Sequence, residues 1–155
     1  MKYKCILFDC AGILVDSEGI SDSILIQMVN EIGTEIKKEY ALEYFSGRSL
    51  KSCFDYLEEQ KGKPLPVGFE KEYRLRTFAA FKTDLKPIRG IHKLLDQINV
   101  PFCVASSGPT EKIKLNLTTS NLIEKFETRI FSSYEIGSWI PFLEIFEYAS
   151  MKLGF

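Results

Sequence analysis

Residues 4–18 read Lys-Cys-Ile-Leu-Phe-Asp-Cys-Ala-Gly-Ile-Leu-Val-Asp-Ser-Glu. The apolar run from Cys5 to Phe8 stops at one carboxylate, Asp9, and Gly12 supplies a turn. A second apolar triplet follows, then the polar Asp16-Ser17-Glu18, and from there the spacing turns helical. A short β-favouring run closed by a turn predicts a buried strand, here over residues 3–9. A strand that delivers a carboxylate at its C-terminal end, followed by a tight loop, is how open α/β sheets build their sites.

Working outward, Asp16 or Ser17 can cap a helix whose one face carries Ile20, Ile24, Leu25, Met28, Val29 and Ile32, with Gly33 at its end. Helices are expected over 35–45 and 48–61, with Gly47 as the bend and Ser46 or Ser49 as the cap between them. The breakers of Gly62-Lys63-Pro64-Leu65-Pro66 mark a loop. The helix predicted over 68–82 turns Phe69, Tyr73, Leu75 and Phe78 towards a core. After a linker at 85–90, a helix over 90–98 places Ile91, Leu94, Leu95 and Ile98 on one face. Pro101 to Ala105 is the second core strand, ending in Ser106-Ser107-Gly108, and Thr110 or Ser107 caps the helix after it. A third strand is expected over 128–132 and a last helix over 142–153. Strands separated by helices imply an α/β fold with a parallel sheet and right-handed crossovers. The helical block between 17 and 84 is too long for one crossover and is expected to fold as a subdomain.

Bulk properties exclude several classes. The 155 residues suit one core with an insertion, and a net charge of −1 leaves no electrostatic footprint for nucleic acid or an anionic membrane. No apolar stretch approaches the ~18 residues of a membrane span, and the N-terminus lacks a signal-peptide core, so a cytoplasmic protein is expected. Cys5, Cys10, Cys53 and Cys103 form no C-x-x-C pair and are read as reduced thiols. His92 is the only histidine, which argues against zinc.

Three segments together resemble the haloacid dehalogenase (HAD) superfamily. More narrowly, they resemble its small-molecule phosphatases and phosphosugar mutases with an α-helical cap after the first strand. Phe8-Asp9-Cys10-Ala11-Gly12-Ile13-Leu14-Val15-Asp16-Ser17-Glu18 matches the family's F-D-x-D-G-x-L-V-D-S-E. Val104-Ala105-Ser106-Ser107-Gly108-Pro109 matches its second motif, and the stretch from Trp139 to Phe146 aligns with the third, W/G-K-P-x-P-D-x-F. The resemblance implies a Rossmann-like HAD core over 1–16 and 85–155 and a cap over 17–84. It makes Asp9 the nucleophile that forms an aspartyl-phosphate. Ser106, Ser107, Gly12 and the cap residue Arg48 become candidate phosphate or substrate contacts. For Arg48, an exposed cation at a helix start is an equal alternative. The implied cofactor is Mg²⁺, held by Asp9 and the Ala11 backbone carbonyl, and the implied substrate is a small phosphorylated metabolite.

The chain departs from that pattern. Ala11 stands where the family has its general acid/base, a loss worth roughly 10²–10⁴-fold in rate. Ile140 replaces the third-motif lysine, beside Phe142 and Leu143, and no fourth strand with an acidic pair precedes Phe155. Lys112 is read as a solvated side chain rather than a substitute for that lysine. Glu144 fits helix capping, and the Trp139–Leu143 cluster fits a packing or partner patch. A phosphatase-like hydrolase with strongly impaired turnover and weak or absent Mg²⁺ binding is therefore expected. The alternatives are a non-catalytic binding protein, or a fragment or engineered variant of a longer enzyme. An unpaired edge on the first strand predicts a homo-oligomer or a protein partner that completes the sheet.

Overall fold

A computed structural model describes residues 3–34, 36, 44–45, 48–140 and 142–155. The chain divides into two compact units, Met1–Ser17 with Phe81–Phe155, and Glu18–Ala80. The second division falls inside one helix, Phe69–Asp84.

The first unit is the α/β body. Its strands are β1 (Ile6–Phe8), β2 (Phe102–Ser106) and β3 (Ile130–Ser132), all parallel, in the order β1-β2-β3. The expected parallel sheet is present, with β1 and β3 shorter than the sequence suggests. Pairing sets Phe8 against Val104, Ile130 against Val104, and Ser132 against Ser106, so the C-terminal ends of the strands lie together. Because side chains alternate across a strand, β2 serves two cores. Cys103 and Ala105 join Phe131, Ile145 and Ala149 in a cluster that receives the last helix, α8 (Glu144–Lys152). On the other face Phe8, Phe102 and Phe126 meet edge-to-face, with centroids 5.3–6.3 Å apart. Phe126 comes from the short helix α6 (Ile123–Phe126).

The second unit is helical. It contains α1 (Glu18–Glu31), α2 (Leu50–Lys61) and the larger part of α3 (Phe69–Asp84). Leu25, Ile26, Met28, Val29, Phe45, Cys53, Leu57, Phe69 and Tyr73 form its core. Ser49 caps α2, its side chain accepting from the Ser52 N–H at 3.1 Å, and Gly62 closes the helix in the left-handed conformation. The helix expected over 35–45, the Gly47 bend and the alternative Ser46 cap fall wholly or largely outside the described residues.

Two helix faces differ from expectation. On α3 the inward row is Phe69, Tyr73, Thr77 and Phe81, all buried, whereas Leu75 is 59% exposed and Phe78 is half-buried. That row is a strict i, i+4 progression, and Leu75 lies two residues from Tyr73 and Thr77, about 200° round the helix. On α4 (Ile91–Gln97), Ile91 and Leu95 are buried while Leu94 is exposed. A helix of two turns has room for only one buried row.

Candidate active site

Asp9 lies one residue past the end of β1, where the backbone leaves the sheet. Its Oδ1 accepts a hydrogen bond from the Cys10 N–H at 2.6 Å, which fixes the carboxylate at the strand end. The loop then closes on itself. Leu14 and Val15 donate to the Cys10 carbonyl at 3.0 and 3.2 Å, and Val15 pairs with Ala11 on one side and Pro87 on the other. Gly12 sits at φ 72°, a backbone region that suits glycine. Its N–H donates to the Val15 carbonyl at 2.9 Å, so its place is in holding the turn rather than in presenting a free amide.

The second wall comes from β2. Ser106 ends the strand and is buried, and the loop Ser107-Gly108-Pro109 leads into α5 (Thr110–Thr119). Neither Thr110 nor Ser107 caps α5. Pro109 occupies the cap position without a side-chain bond, and the Thr110 hydroxyl donates to Glu135 at 3.0 Å. Ser107 is used differently: its Oγ accepts from the Ile140 N–H at 3.1 Å and so ties the third motif's backbone to the second. Ser132, at the end of β3 and the cap of the short helix α7 (Ser133–Ile136), donates to the Gly108 carbonyl at 2.7 Å and accepts from the Tyr134 N–H at 3.2 Å. The loop is therefore held from two sides and leads into the N-terminal end of α5, where the helix dipole favours an anion.

Asn116 was not legible as a site residue. It is 1% exposed on α5, and its Nδ2 lies 3.9 Å from Cys10 Sγ, while its Oδ1 has no partner. The available signal was a polar residue beside Ile113 and Leu117 in an apolar stripe. Burial is the main reason the Cys10 thiol is pushed up to about 12. Asn116 and the Lys112 charge act in the opposite sense, and the neighbouring Asp9 adds to the rise. Cys10 is thus a buried thiol, held in its neutral form, in the loop after Asp9.

The structure brings Asp9, Gly12, Ser106 and Ser107 to one region of the first unit. Arg48 belongs to the helical unit, where its guanidinium lies 3.9 Å over the Tyr44 ring. Ile140 packs against the α8 cluster and carries no charge into this region. Leu143, not Glu144, holds the N-cap position of α8; Glu144 lies in the first turn, where hydrogen bonds from its own N–H and from Ser138, the latter at 2.9 Å, hold its carboxyl below the usual range. Trp139, Phe142 and Leu143 are exposed, with Trp139 edge-on to Tyr134 at 5.6 Å.

The resemblance calls for magnesium on Asp9 and the Ala11 carbonyl. That is one carboxylate and one carbonyl for an ion that takes six oxygens. Among the described residues no three His, Cys, Asp or Glu side chains gather to hold a metal ion. These donors do not make a resident metal site, and no step below passes through one. Among the described residues, no helix is long and apolar enough to cross a membrane.

A family model for haloacid dehalogenase-like hydrolases matches residues 6–155. The chain is 32% identical over 141 residues to the 6-phosphogluconate phosphatase of Escherichia coli (strain K12), covering 90% of this chain and 64% of that protein. Among solved structures, a conserved haloacid dehalogenase-like protein from Agrobacterium tumefaciens str. C58 superposes with a TM-score of 0.87 at 27% identity, covering 98% of this chain and 69% of that one. A HAD family hydrolase from Deinococcus radiodurans R1 with bound phosphate and sodium gives a TM-score of 0.77 at 26% identity, covering 98% and 68%. With its strand-end aspartate and the serine loop beside it, the chain belongs to the haloacid dehalogenase-like hydrolases.

Proposed function

We propose that this chain handles a phosphate monoester at the ends of β1 and β2, as an HAD-type phosphatase with reduced turnover. The observation that carries the reading is the register of β1 and β2, which pairs Phe8 with Val104 and so brings Asp9, one residue on, and Ser106, two residues on, to the same end of the sheet. Adjacent strands lie about 4.8 Å apart, the scale of a phosphoryl group. The Asp9 oxygen not engaged by Cys10 attacks phosphorus, the P–O bond to the alcohol breaks, and an aspartyl-phosphate forms. Ser106 donates to a phosphoryl oxygen and the first turn of α5 offers its amides. Water then cleaves the acyl-phosphate and regenerates Asp9.

The weak point is the leaving alcohol, which leaves as an alkoxide unless it is given a proton, and the Ala11 methyl has none. That absence favours slow turnover, and it also favours a second reading in which the site binds a phosphorylated ligand without cleaving it. The relative named as a 6-phosphogluconate phosphatase points to small sugar-acid phosphates as first substrates to test. The deciding experiment is a panel of phosphate esters, with and without added Mg²⁺, on the unmodified chain, Asp9→Asn and Ala11→Asp. Slow release of phosphate that vanishes in Asp9→Asn supports the enzymatic reading. Ester binding with no release by the unmodified chain supports the second reading, and neither binding nor release refutes both.

A further inference from the structure

The site as described carries one acid and receives an anion, so its cation has to be found. Lys112 and Asn116 stand four residues apart on α5 and share one face of it. Asn116 reaches Cys10 at 3.9 Å, so that face lies against the loop that follows Asp9. Lys112 lies one turn nearer the start of α5, and α5 starts where β2 ends. It is therefore level with the strand ends, above Asn116.

A second observation places the side chain. A methyl group built on Gly108 would sit 3.8 Å from Lys112 Cδ and 4.0 Å from Ser106 Oγ. The lysine stem and the serine hydroxyl thus both border Gly108, with Ile113 Cγ1 also 3.8 Å from the same point. A third shows what the side chain's end lies near: Lys112 Nζ is 5.5 Å from the ring centroid of the fully buried Phe81. A side chain already bounded by Gly108 and the Phe81 ring loses less rotamer freedom when it binds an anion. Its charge is already felt at Cys10, next to Asp9.

We propose that Lys112 is the phosphate-binding cation of this site, its ammonium donating to phosphoryl oxygens held by Ser106 beside Asp9. It supplies the neutralising charge that Ile140 does not. A phosphate dianion brought against a carboxylate is repelled, and a cation beside it offsets that repulsion. The inference deepens the phosphatase reading and rests on it.

The test is inorganic phosphate titrated into the full chain by calorimetry, with three variants. Lys112→Met keeps an unbranched stem of similar length and removes the charge, Lys112→Arg restores a cation, and Ser106→Ala tests the site itself. Loss of a charge-assisted bond should weaken phosphate roughly tenfold or more in Lys112→Met. Lys112→Arg should recover most of that loss, and Lys112→Met should show a shallower salt dependence than the unmodified chain. Unchanged affinity in Lys112→Met alongside weakened binding in Ser106→Ala overturns the role of Lys112 and leaves the phosphate site standing. Equal losses in Lys112→Met and Lys112→Arg assign Lys112 to packing and overturn it as well. An unmodified chain that binds no phosphate overturns the site reading and this inference together.

Discussion

Asp22 offers the sharpest test of the physics in the helical unit. It lies on α1 among Leu25, Ile26, Met28 and Val29 and is 9% exposed. Burial is the main force that pushes its carboxyl up to about 6, and Glu18, one turn earlier, adds to it. Cys53 from α2 and Tyr73 from α3 lie near enough for the Asp22 charge to raise their own ionisations, while Arg48 draws that of Cys53 down. In the unfolded chain Asp22 ionises near its ordinary 3.8. Between that value and about 6 the folded chain holds more protons than the unfolded one, so stability falls as pH rises through the window and is flat above it. A rise of about two units corresponds to roughly 2–3 kcal/mol of burden at pH 7. Asp22→Asn removes the charge and keeps the shape. It should gain on the order of 2 kcal/mol at pH 7, less whatever the amide loses by imperfect pairing, and almost nothing near pH 4. Urea unfolding of both chains at pH 4, 5, 6 and 7 reads the difference directly, because other titrating groups are common to both. A gain that does not change with pH, or no gain at pH 7, would refute the argument that burial of this carboxylate costs stability.

The reassigned face of α3 gives a paired prediction. Phe81→Ala should cost about 3–5 kcal/mol through the cavity it leaves, and Leu75→Ala under about 1 kcal/mol, in denaturant melts; equal costs would restore Leu75 to the core. At pH 8 only about one Cys10 in ten thousand is a thiolate, so iodoacetamide followed by mass spectrometry should label half-exposed Cys5 well before Cys10 or Cys103. Early labelling of Cys10 would mean that the loop after Asp9 opens. Because the donors do not form a resident metal site, EDTA should change phosphate affinity by less than about twofold; a loss of tenfold would show a metal recruited with the ligand.

The strand ends proposed as the site were legible because their signals are local. Asp9 and Ser106 each end an apolar run, and strand ends in a parallel sheet converge whatever the details of packing. The Gly12 turn and the Ser49 cap could be read from residue types with fixed backbone preferences. What failed to show was contact between segments far apart in sequence. Thr110 looks like a cap, but its hydroxyl is drawn to Glu135 twenty-five residues on. Ser107 looks like a phosphate contact or a cap, and its oxygen receives the Ile140 amide.

By itself, then, the sequence determined the α/β class, the parallel order of strands and helices, and the family, and it pointed to the two strand ends proposed as the site. These follow from periodicity, breakers and motif spacing, which each stretch of chain carries alone. Only the tertiary structure decided which helical row faces inward, that Asn116 lies beneath Asp9's loop, and that Ile140 turns its side chain into the α8 core. It also set the Lys112 stem beside Gly108, where Ser106 Oγ lies as well. The reason is that a side chain's environment is set by whatever packs against it, and its partners here are as much as 106 residues distant in the chain.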